Sequence, residues 1–526
     1  MAIILRPLNY LKEVFGVAEK KKTSKLTLGA LILMIFTSVF GFTNIPRAFF
    51  LMGYASIFWY VLAAVTFFIP YAFMLGEMGA AFGEAKGGIY SWMEKSVNAK
   101  FAFIGTFMWF ASYIIWMVNV GNGIWIPLSN AIFGVDKTQS WTFFGLTNGV
   151  QTLGILAIIW IIVITFVTSK GLDKVKKVTS IGGSAITLIN VILFLGGLLI
   201  LILNKGVIAQ PITAKAFFQS PNESYTSMIQ VFSFVVFAIF AYGGLEVVGG
   251  LVDETENAKV NFPKGLAISA IVIAIGYAIG IFMMGTFTNW DFVFKTGGGF
   301  AKATGSNAEV TLGNVAYIAM NNMGYQLGLA LHMSHHAAIQ VGIWLSRYMG
   351  LSMFLALTGA FFTLIFSPLK TIIEGTPAEL WPKSFAKKNK HNMPVNAMIV
   401  QAAIVIVIIA FVAFGGKSAA KFFEILTAMT NVSMTLPYLF VAFAFFGFKK
   451  DNSIEKPFTI YKGKTFYKFC VWMVMFTVGF ANVFTIIQPA IDGNLGQTFW
   501  SIAGPVFFTV VALIMFNRYE KKTGLK

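Results

Sequence analysis

The segment Val231–Lys264 reads VFSFVVFAIFAYGGLEVVGGLVDETENAKVNFPK. It starts as a continuous apolar run and then places Gly243, Gly244 and the carboxylate of Glu246 ahead of the first polar stretch at Asp253. Each glycine weakens a helix interior by about 1 kcal/mol relative to alanine, and an acidic side chain is costly inside a bilayer. Irregular backbone persists at membrane depth only where it lines protein or a water-filled cavity. In a membrane protein, this segment predicts an interrupted helix beside such a cavity.

The composition establishes that the chain is a membrane protein. Of its 526 residues, 57% are hydrophobic and 11% are charged, whereas about 25% are charged in a typical soluble domain. The net charge of +18 does not require a nucleic acid partner, because lysines scattered along short loops follow the positive-inside rule. The single cysteine, Cys470, excludes an internal disulfide and is typical of a small buried apolar residue.

Twelve apolar runs are long enough to cross the hydrocarbon core, which takes about 20 helical residues. They lie at residues 27–50, 54–78, 101–130, 149–169, 177–203, 226–250, 265–288, 337–366, 395–414, 419–448, 466–489 and 497–517. Most of the 39 lysines and arginines fall in the N-terminal arm 1–26, in alternate loops and in the tail 518–526. This uneven distribution of basic residues predicts a multi-pass protein of the plasma (inner) membrane with both termini in the cytoplasm. The connection 289–336 is then an external loop, predicted to hold a short helix over the mouth of the protein.

The first span carries an irregularity that matches the sixth. The sequence FTSVFGFTNIPRAFF puts Thr37, Ser38, Gly41, Thr43 and Asn44 in its middle and outer part. Spans one and six each open a set of five, and interruptions at corresponding positions of two halves indicate an inverted-repeat transporter with a midplane site. A packing role remains open for Gly41, because glycine often permits close approach of membrane helices. The predicted units are residues 27–203 and 226–448 as the two five-helix repeats, and 466–517 as two peripheral helices.

Three segments carry a resemblance to a known group of proteins. They are GEMGAAFGEAKGGIYSWMEKSV at 76–97, FAYGGLEVVGGLVDETENAKVNFPKG at 240–265 and SPLKTIIEGTPAELWPKSF at 367–385, the last taken as the loop after span eight. They resemble the amino acid–polyamine–organocation superfamily, most closely the glutamate:GABA antiporter group and its uncharacterised inner-membrane branch. The resemblance implies an all-α polytopic protein with the leucine-transporter fold, broken first and sixth helices, and an amino acid or related amine as substrate.

The resemblance also implies site residues in spans one and six. Members commonly read Gly-small-Gly at the first break, where they hold the substrate carboxylate; here Thr37, Ser38 and Gly41 occupy that region with one glycine. Phe240 matches an aromatic gate over the substrate, and Glu246 matches an acid linked to proton coupling or gating. Within the same broken helix, Tyr242, Gly243 and Gly244 complete the expected binding set.

Span three is expected to contribute a further face of the site. Its sequence WFASYIIW matches a substrate-facing stripe of the superfamily that puts Ala111, Ser112 and Trp116 toward the substrate. The spacing of Ser112, Trp116 and Asn119 at i, i+4 and i+7 places them on one helical face independently of the resemblance. A packing role for Trp116 stays open, because aromatic residues at helical spacing are usually core.

The mechanism suggested by these residues is proton-coupled uptake or exchange. Buried in the membrane, the ionised form of Glu246 loses solvation, so this group can take and release a proton as the cavity opens to each side. A purely structural acid that shapes the broken helix is the alternative.

A sodium-coupled symporter of the same fold also stays open, with Thr358 and Thr363 as weak candidate ligands. A channel is disfavoured because no span carries a continuous polar stripe, and a sensor because no sizeable soluble domain is present.

The remaining candidates for chemistry are weaker. His332, His335 and His336 would share one face of a helix, but an exposed loop cluster is favoured over a metal site because no cysteine or acid completes a ligand set. No phosphate-binding loop or catalytic triad is present, so we expect neither an ATP-driven pump nor an enzyme, and no cofactor. Acidic residues near the cytoplasmic ends of the spans are expected to pair with loop lysines as an inner gate or to form a solvated rim: Glu77, Glu84, Asp253, Glu254 and Glu256. Oligomeric state leaves no signature in the sequence.

Overall fold

The computed structural model describes residues 25–305 and 309–524; the rest of the N-terminal arm and the last two residues of the tail lie outside this part of the chain. Within it, twelve helices are long and apolar enough to cross a membrane. They are Leu28–Met52, Ala55–Ala81, Ala99–Phe133, Gly149–Thr168, Leu172–Leu203, Met228–Leu251, Ala258–Phe287, His335–Gly375, Val395–Phe414, Gly416–Lys450, Lys464–Ile491 and Leu495–Thr523. The predicted all-α class with twelve spans is confirmed.

An even number of crossings returns the chain to the side on which it starts. Lys25 and Thr523 therefore lie on one face of the bundle, which we call the terminal face; the other is the opposite face. Many large apolar side chains on the outside of the bundle are exposed, among them Phe166 at 60% and Phe476 at 77%. Such extensive apolar surface is what a bilayer covers in a membrane protein.

The two predicted interruptions are present in spans one and six. Span one divides into segment 1a, Leu28–Val39, and segment 1b, Asn44–Met52. Span six divides into segment 6a, Met228–Phe240, and segment 6b, Leu245–Leu251, which is wound as a 3-10 helix. The non-helical residues between these segments form the breaks, 40–43 and 241–244.

The second break touches the end of segment 1a through a glycine. Gly244 has a φ of +105°, in the left-handed region, where a residue with a β-carbon is strained. A β-carbon at this position would also lie 2.7 Å from the carbonyl oxygen of Ser38. Gly244 is thus required both by its backbone conformation and by its close approach to span one.

Several spans are longer than the sequence predicts. Span eight continues in helical form to Gly375 instead of ending near residue 366, so the first part of the motif at 367–385 is helix and not loop. The extension carries Lys370, whose charge would normally end an apolar run, but the lysine is paired with two carboxylates. Spans five and seven likewise begin at Leu172 and Ala258, several residues before their predicted starts.

The long connection between spans seven and eight is more structured than expected. It contains three helices, Trp290–Phe294, Gly299–Thr304 and Val315–Ala330, where the sequence predicts one short helix. The longest packs closely on span eight, since a β-carbon at Gly324 would lie 2.7 Å from the Cα of Gly342. On the terminal face, spans two and three are joined through the helix Ile89–Ser96.

Candidate functional site

A cavity of about 600 Å³ lies between the breaks of spans one and six. Its wall is formed by residues of spans one, three, five, six, eight, ten and eleven. The lining residues are Thr37, Ser38, Val39, Phe40, Gly41, Thr43, Asn44, Arg47, Tyr113, Trp116, Ile186, Val236, Phe240, Ala241, Gly243, Gly244, Val247, Met353, Ala356, Leu357, Ala360, Leu364, Asn431, Met434, Thr435, Tyr438 and Thr485. The wall is largely apolar and aromatic with a few polar groups, as is typical of small-molecule sites.

Most of the predicted substrate residues lie on this wall. They are Thr37, Ser38, Gly41, Trp116, Phe240, Gly243 and Gly244. Three others do not line the cavity: Ala111, Ser112 and Tyr242. Glu246, predicted to couple protons, is also absent from the wall and lies behind it.

Of the predicted face of span three, Trp116 lines the cavity and Ala111 and Ser112 do not. Ser112 is buried and its hydroxyl donates to the carbonyl of Met108, at 2.9 Å, within its own helix. The residues that face the cavity are Tyr113 and Trp116. One residue corresponds to about 100° of rotation on a helix, so Ala111 points elsewhere. The sequence signal that marks the face of span three toward the cavity and Glu246 is the aromatic series Trp109, Tyr113 and Trp116, spaced at i, i+4 and i+7.

Tyr242 is a packing residue of the second break. Its side chain is 1% exposed, and its hydroxyl donates to the carbonyl of Tyr60 at 3.2 Å. The ring stacks on Phe68 with centroids 4.6 Å apart and meets Tyr277 edge-on. These contacts hold the break against spans two and seven.

Two tyrosines that sequence reasoning missed stabilise the breaks. The hydroxyl of Tyr277, on span seven, accepts from the Gly41 amide at 3.0 Å and from Nδ2 of Asn44 at 3.3 Å. The hydroxyl of Tyr438, on span ten, accepts from the Gly244 amide at 3.1 Å. Each break thus gives one freed peptide N–H to a hydroxyl from another helix, which is how broken helices are tolerated in membranes. Nothing in the local sequence marks these partners.

Glu246 is held in a buried aromatic pocket beside the cavity. It is 1% exposed, and its Oε1 accepts from the indole nitrogen of Trp109 at 3.1 Å and from the hydroxyl of Tyr113 at 3.0 Å. Since Tyr113 also lines the cavity, one side chain separates the carboxyl group from the site. The side chain of Tyr438, which also lines the cavity, interacts with the same carboxyl group.

The path from the cavity to the terminal face is closed by segment 6b and span eight. The hydroxyl of Ser367 donates to the carbonyl of Val247. A β-carbon at Gly250 would lie 2.6 Å from the Ser367 hydroxyl oxygen, so the two helices are in close contact. The cavity wall ends at Val247 and Leu364 on this side.

A buried ion cluster lies in the same closed region. Lys370, 2% exposed, contacts Asp253 at 2.8 Å and Glu254 at 2.9 Å. Burial raises the pKa of the Asp253 carboxyl above its ordinary value, while the adjacent Lys370 ammonium opposes the rise. The backbone of Leu26 also pairs with this connection, donating to the Glu254 carbonyl at 2.7 Å and accepting from the Glu256 amide at 2.8 Å. The start of segment 1a is thus tied to the chain that follows segment 6b.

Of the acidic residues near the terminal face, some pair with lysines and others are exposed to solvent. These are the two alternatives expected from the sequence. Glu77 is fully buried and accepts from the amides of Ile460 and Tyr461 at 2.6 and 2.7 Å, while Lys449 lies 2.9 Å away. It therefore fastens the connection between spans ten and eleven to span two. Glu84 and Glu256 are exposed and belong to the solvated rim.

The three histidines do not share a helical face. The helix of span eight begins at His335, and His332 precedes it with a φ of +58°. All three side chains are exposed. His335 Nε2 lies 3.0 Å from the carbonyl of Ala303. Among the described residues no group of three or more histidine, cysteine or acidic side chains is arranged to hold a metal ion.

Comparison with known proteins agrees with this architecture. A family model described as amino acid permease matches residues 26–516. The chain belongs to the amino acid permease family. It is 50% identical over 496 residues to the inner membrane transporter YjeM of Escherichia coli (strain K12), covering 94% of this chain and 96% of that protein. The family is one of transporters, so this family member is a multi-pass membrane transporter and not an enzyme.

More distant relatives are also named as transport proteins. The glutamate/gamma-aminobutyrate antiporter of Lactococcus lactis subsp. lactis (strain IL1403) is 25% identical over 470 residues, 88% of this chain and 84% of that protein. The aspartate/glutamate permease AcaP of Lactococcus lactis subsp. cremoris (strain MG1363) is 24% identical over 439 residues, 80% of this chain and 79% of that protein. The superfamily resemblance and the leucine-transporter fold class drawn from the sequence motifs are confirmed.

Proposed function

We propose that this protein is a secondary active transporter that carries an amino acid or related amine by alternating access, as an exchanger or a proton-coupled permease. The observation that carries the proposal is the cavity of about 600 Å³ bounded by both breaks. It is sealed toward the terminal face, where Ser367 bonds to Val247 and Lys370 to Asp253. A carrier needs a central site that communicates with one face at a time.

The breaks supply the groups that an amino acid requires. Segment 1b begins at Asn44, and the N-terminal end of a helix carries a partial positive charge that favours a carboxylate. Segments 1a and 6a end at Val39 and Phe240, and the C-terminal ends of helices favour an ammonium group. Phe240, the last residue of segment 6a, lies on the cavity wall and is the proposed gate. The wider binding set is Thr37, Ser38, Gly41, Trp116, Gly243 and Gly244.

Glu246 is the proposed proton carrier. Its carboxyl group is buried beside the cavity, and its contact to Tyr113 links its state of charge to the wall of the site. Neutralising a buried carboxylate removes its desolvation penalty. Protonation would therefore favour a form of the protein in which this pocket stays dry.

The relatives support exchange as the mode and the inner membrane as the location. One is named as a glutamate/gamma-aminobutyrate antiporter and another as an inner membrane transporter. The positive-inside bias puts both termini, and hence the terminal face, in the cytoplasm. We further propose that residues 27–203 and 226–448 are the two inverted repeats, with 466–517 peripheral to them.

Counterflow in proteoliposomes tests the proposal. Vesicles are loaded with one unlabelled amino acid or amine at a time, and uptake of a trace of the same labelled solute is followed. A carrier accelerates uptake when the trans side is loaded, whereas a channel does not. A thermal-shift screen of the purified protein selects the solutes first, because a ligand that binds the native state stabilises it. Failure of every amino acid and amine to give counterflow would refute the proposed function.

A further inference from the structure

Only one charged side chain lines the cavity among the described residues, and it is Arg47. We propose that Arg47 binds a second carboxylate of the substrate, so that the site selects an acidic amino acid or a similar dicarboxylate. This inference rests on the proposed function and names the substrate class for the same cavity. No aspartate or glutamate is among the lining residues of the described chain.

Arg47 is positioned by one hydrogen bond and is otherwise available. Its Nε donates to the carbonyl of Leu312 at 2.7 Å, which ties the side chain to the connection between spans seven and eight. Within the described ranges its two terminal nitrogens make no hydrogen bond and no ion pair. A guanidinium group has five N–H donors in a planar fork that matches the two oxygens of a carboxylate. The Arg47 guanidinium is therefore held through Nε, and its two terminal nitrogens are free to bind a ligand.

The charge of the cavity favours an anionic group on the substrate. A cation that is partly removed from water is stabilised by a counter-charge, and the wall provides none. Glu246, which follows the second break in segment 6b, is bonded to Trp109 and Tyr113 and does not line the cavity. A diamine or a basic amino acid would place a second positive charge beside Arg47, and like charges at close range disfavour binding.

The distance along segment 1b suits a short acidic side chain. Asn44 begins the segment at the break, and Arg47 lies three residues further along the same helix. At about 1.5 Å per residue, this is a rise of roughly 4.5 Å. An α-carboxylate bound at the break would thus leave a side-chain carboxylate of two or three carbons within reach of the guanidinium.

The test compares matched charged and neutral ligands on matched variants. Labelled L-glutamate and L-aspartate are compared with L-glutamine, L-asparagine and putrescine in the counterflow assay. We expect wild-type exchange to favour the acidic member of each pair. We expect Arg47→Gln to lower the apparent affinity for L-glutamate roughly tenfold or more, with L-glutamine unchanged or improved. Lys295→Gln is the control, because Lys295 is an exposed cation of the same connection that does not line this cavity.

The outcomes separate the two proposals. Wild-type exchange of neutral or cationic solutes in preference to acidic ones would overturn the role of Arg47 while leaving the transporter intact. An equal loss of glutamate and glutamine exchange in Arg47→Gln would also overturn it, since a structural defect does not depend on ligand charge. If the Arg47→Gln chain fails to fold, Arg47→Lys retains the charge and loses the fork, and unchanged glutamate affinity there contradicts fork recognition. Absence of counterflow with every solute would refute the proposed function itself, and this inference with it.

Discussion

Glu246 is bound at one oxygen by two donors that lie one turn apart on the same helix. Trp109 and Tyr113 both donate to Oε1, at 3.1 and 3.0 Å. A carboxylate retains its charge in an apolar setting only when hydrogen bonds compensate for lost water. Since Tyr113 also faces the cavity, a change in the protonation of Glu246 alters a side chain that lines the site. This contact is the link that we propose between protonation of Glu246 and the substrate site.

Replacement of this acid by its neutral isostere tests that link. We expect Glu246→Gln to preserve folding and to flatten the pH dependence of transport across about pH 5–8, because no group remains at this position to titrate. Initial rates of counterflow and of net uptake in proteoliposomes, each measured over this pH range, provide the readout. Glu84→Gln is the control, since Glu84 is exposed on the terminal face. A variant whose pH profile matches that of the wild type would remove Glu246 from the coupling mechanism.

At the scale of single residues, the sequence predicted the break in span six because its signal is local. Gly243, Gly244 and Glu246 lie within four positions of one another, and an acid beside paired glycines in an apolar run is a strong indication of a functional break. Tyr277 and Tyr438 could not be found in this way. Their hydroxyl groups reach Gly41 and Gly244 across 236 and 194 positions of sequence. Such contacts exist only once the helices are assembled.

The breaks are the elements on which the account depends, and each is completed by a neighbouring helix. At the first break, the Tyr277 hydroxyl accepts from the Gly41 amide and also lies 3.2 Å from the carbonyl of Ala241 in the second break. One hydroxyl group therefore connects both irregular segments. Removing it takes one acceptor from the Gly41 amide, which keeps its bond to the Val39 carbonyl, and takes the hydroxyl donor from the Ala241 carbonyl. A buried polar group that loses its partner costs about 1–3 kcal/mol.

This cost predicts a measurable loss of stability. We expect Tyr277→Phe to lower the thermal unfolding temperature of the purified protein and to weaken substrate binding, since the ring is retained but the breaks lose their shared partner. Tyr60→Phe is the matched control, because the Tyr60 hydroxyl is buried with no hydrogen-bond partner in the described residues and its ring packs against Tyr277. Equal unfolding temperatures for the two variants would contradict the role assigned to the Tyr277 hydroxyl.

The closed terminal face yields a prediction about access. In a Cys470→Ala background, a cysteine placed at Ala360 on the cavity wall reports reagents that arrive from the terminal face. We expect Asp253→Asn to accelerate its labelling by a maleimide added from that face. Loss of one charge-assisted contact to Lys370 is worth about 1.4 kcal/mol, or roughly tenfold in the population of the open form.

The control for this experiment lies in the same connection. Glu256→Gln neutralises an exposed carboxylate that takes no part in the cluster around Lys370, so its labelling rate should equal that of the parent. Identical rates for Asp253→Asn and Glu256→Gln would mean that the ion cluster does not hold this face closed.

The boundaries of the elements show what local composition misses. Span eight is expected from its sequence to end near residue 366 because a lysine and a glutamate follow, yet the helix continues to Gly375. Lys370 is accommodated by Asp253 and Glu254, which belong to a different connection. A local count of apolar residues identifies the twelve spans. It does not show that a charge in one segment is neutralised by carboxylates in a distant segment.

For the molecule as a whole, the orientation in the membrane is a prediction from the distribution of basic residues. The terminal face carries most of the lysines, so it is predicted to lie in the cytoplasm. In intact cells of a Cys470→Ala background, we expect Lys302→Cys to react with a membrane-impermeant maleimide and Lys387→Cys to stay unlabelled until the cells are permeabilised. Both side chains are exposed and lie in connections on opposite faces. The reverse pattern of labelling would invert the orientation and exchange the assigned faces.

The central claim is that the substrate binds between the two broken helices. The most direct measurement is a cryo-EM structure of the protein in lipid nanodiscs with a solute that gives counterflow. We expect ligand density inside the cavity, in contact with the break at 40–43 and the break at 241–244, and beneath Phe240. Ligand density elsewhere, with spans one and six wound continuously through the membrane, would contradict it.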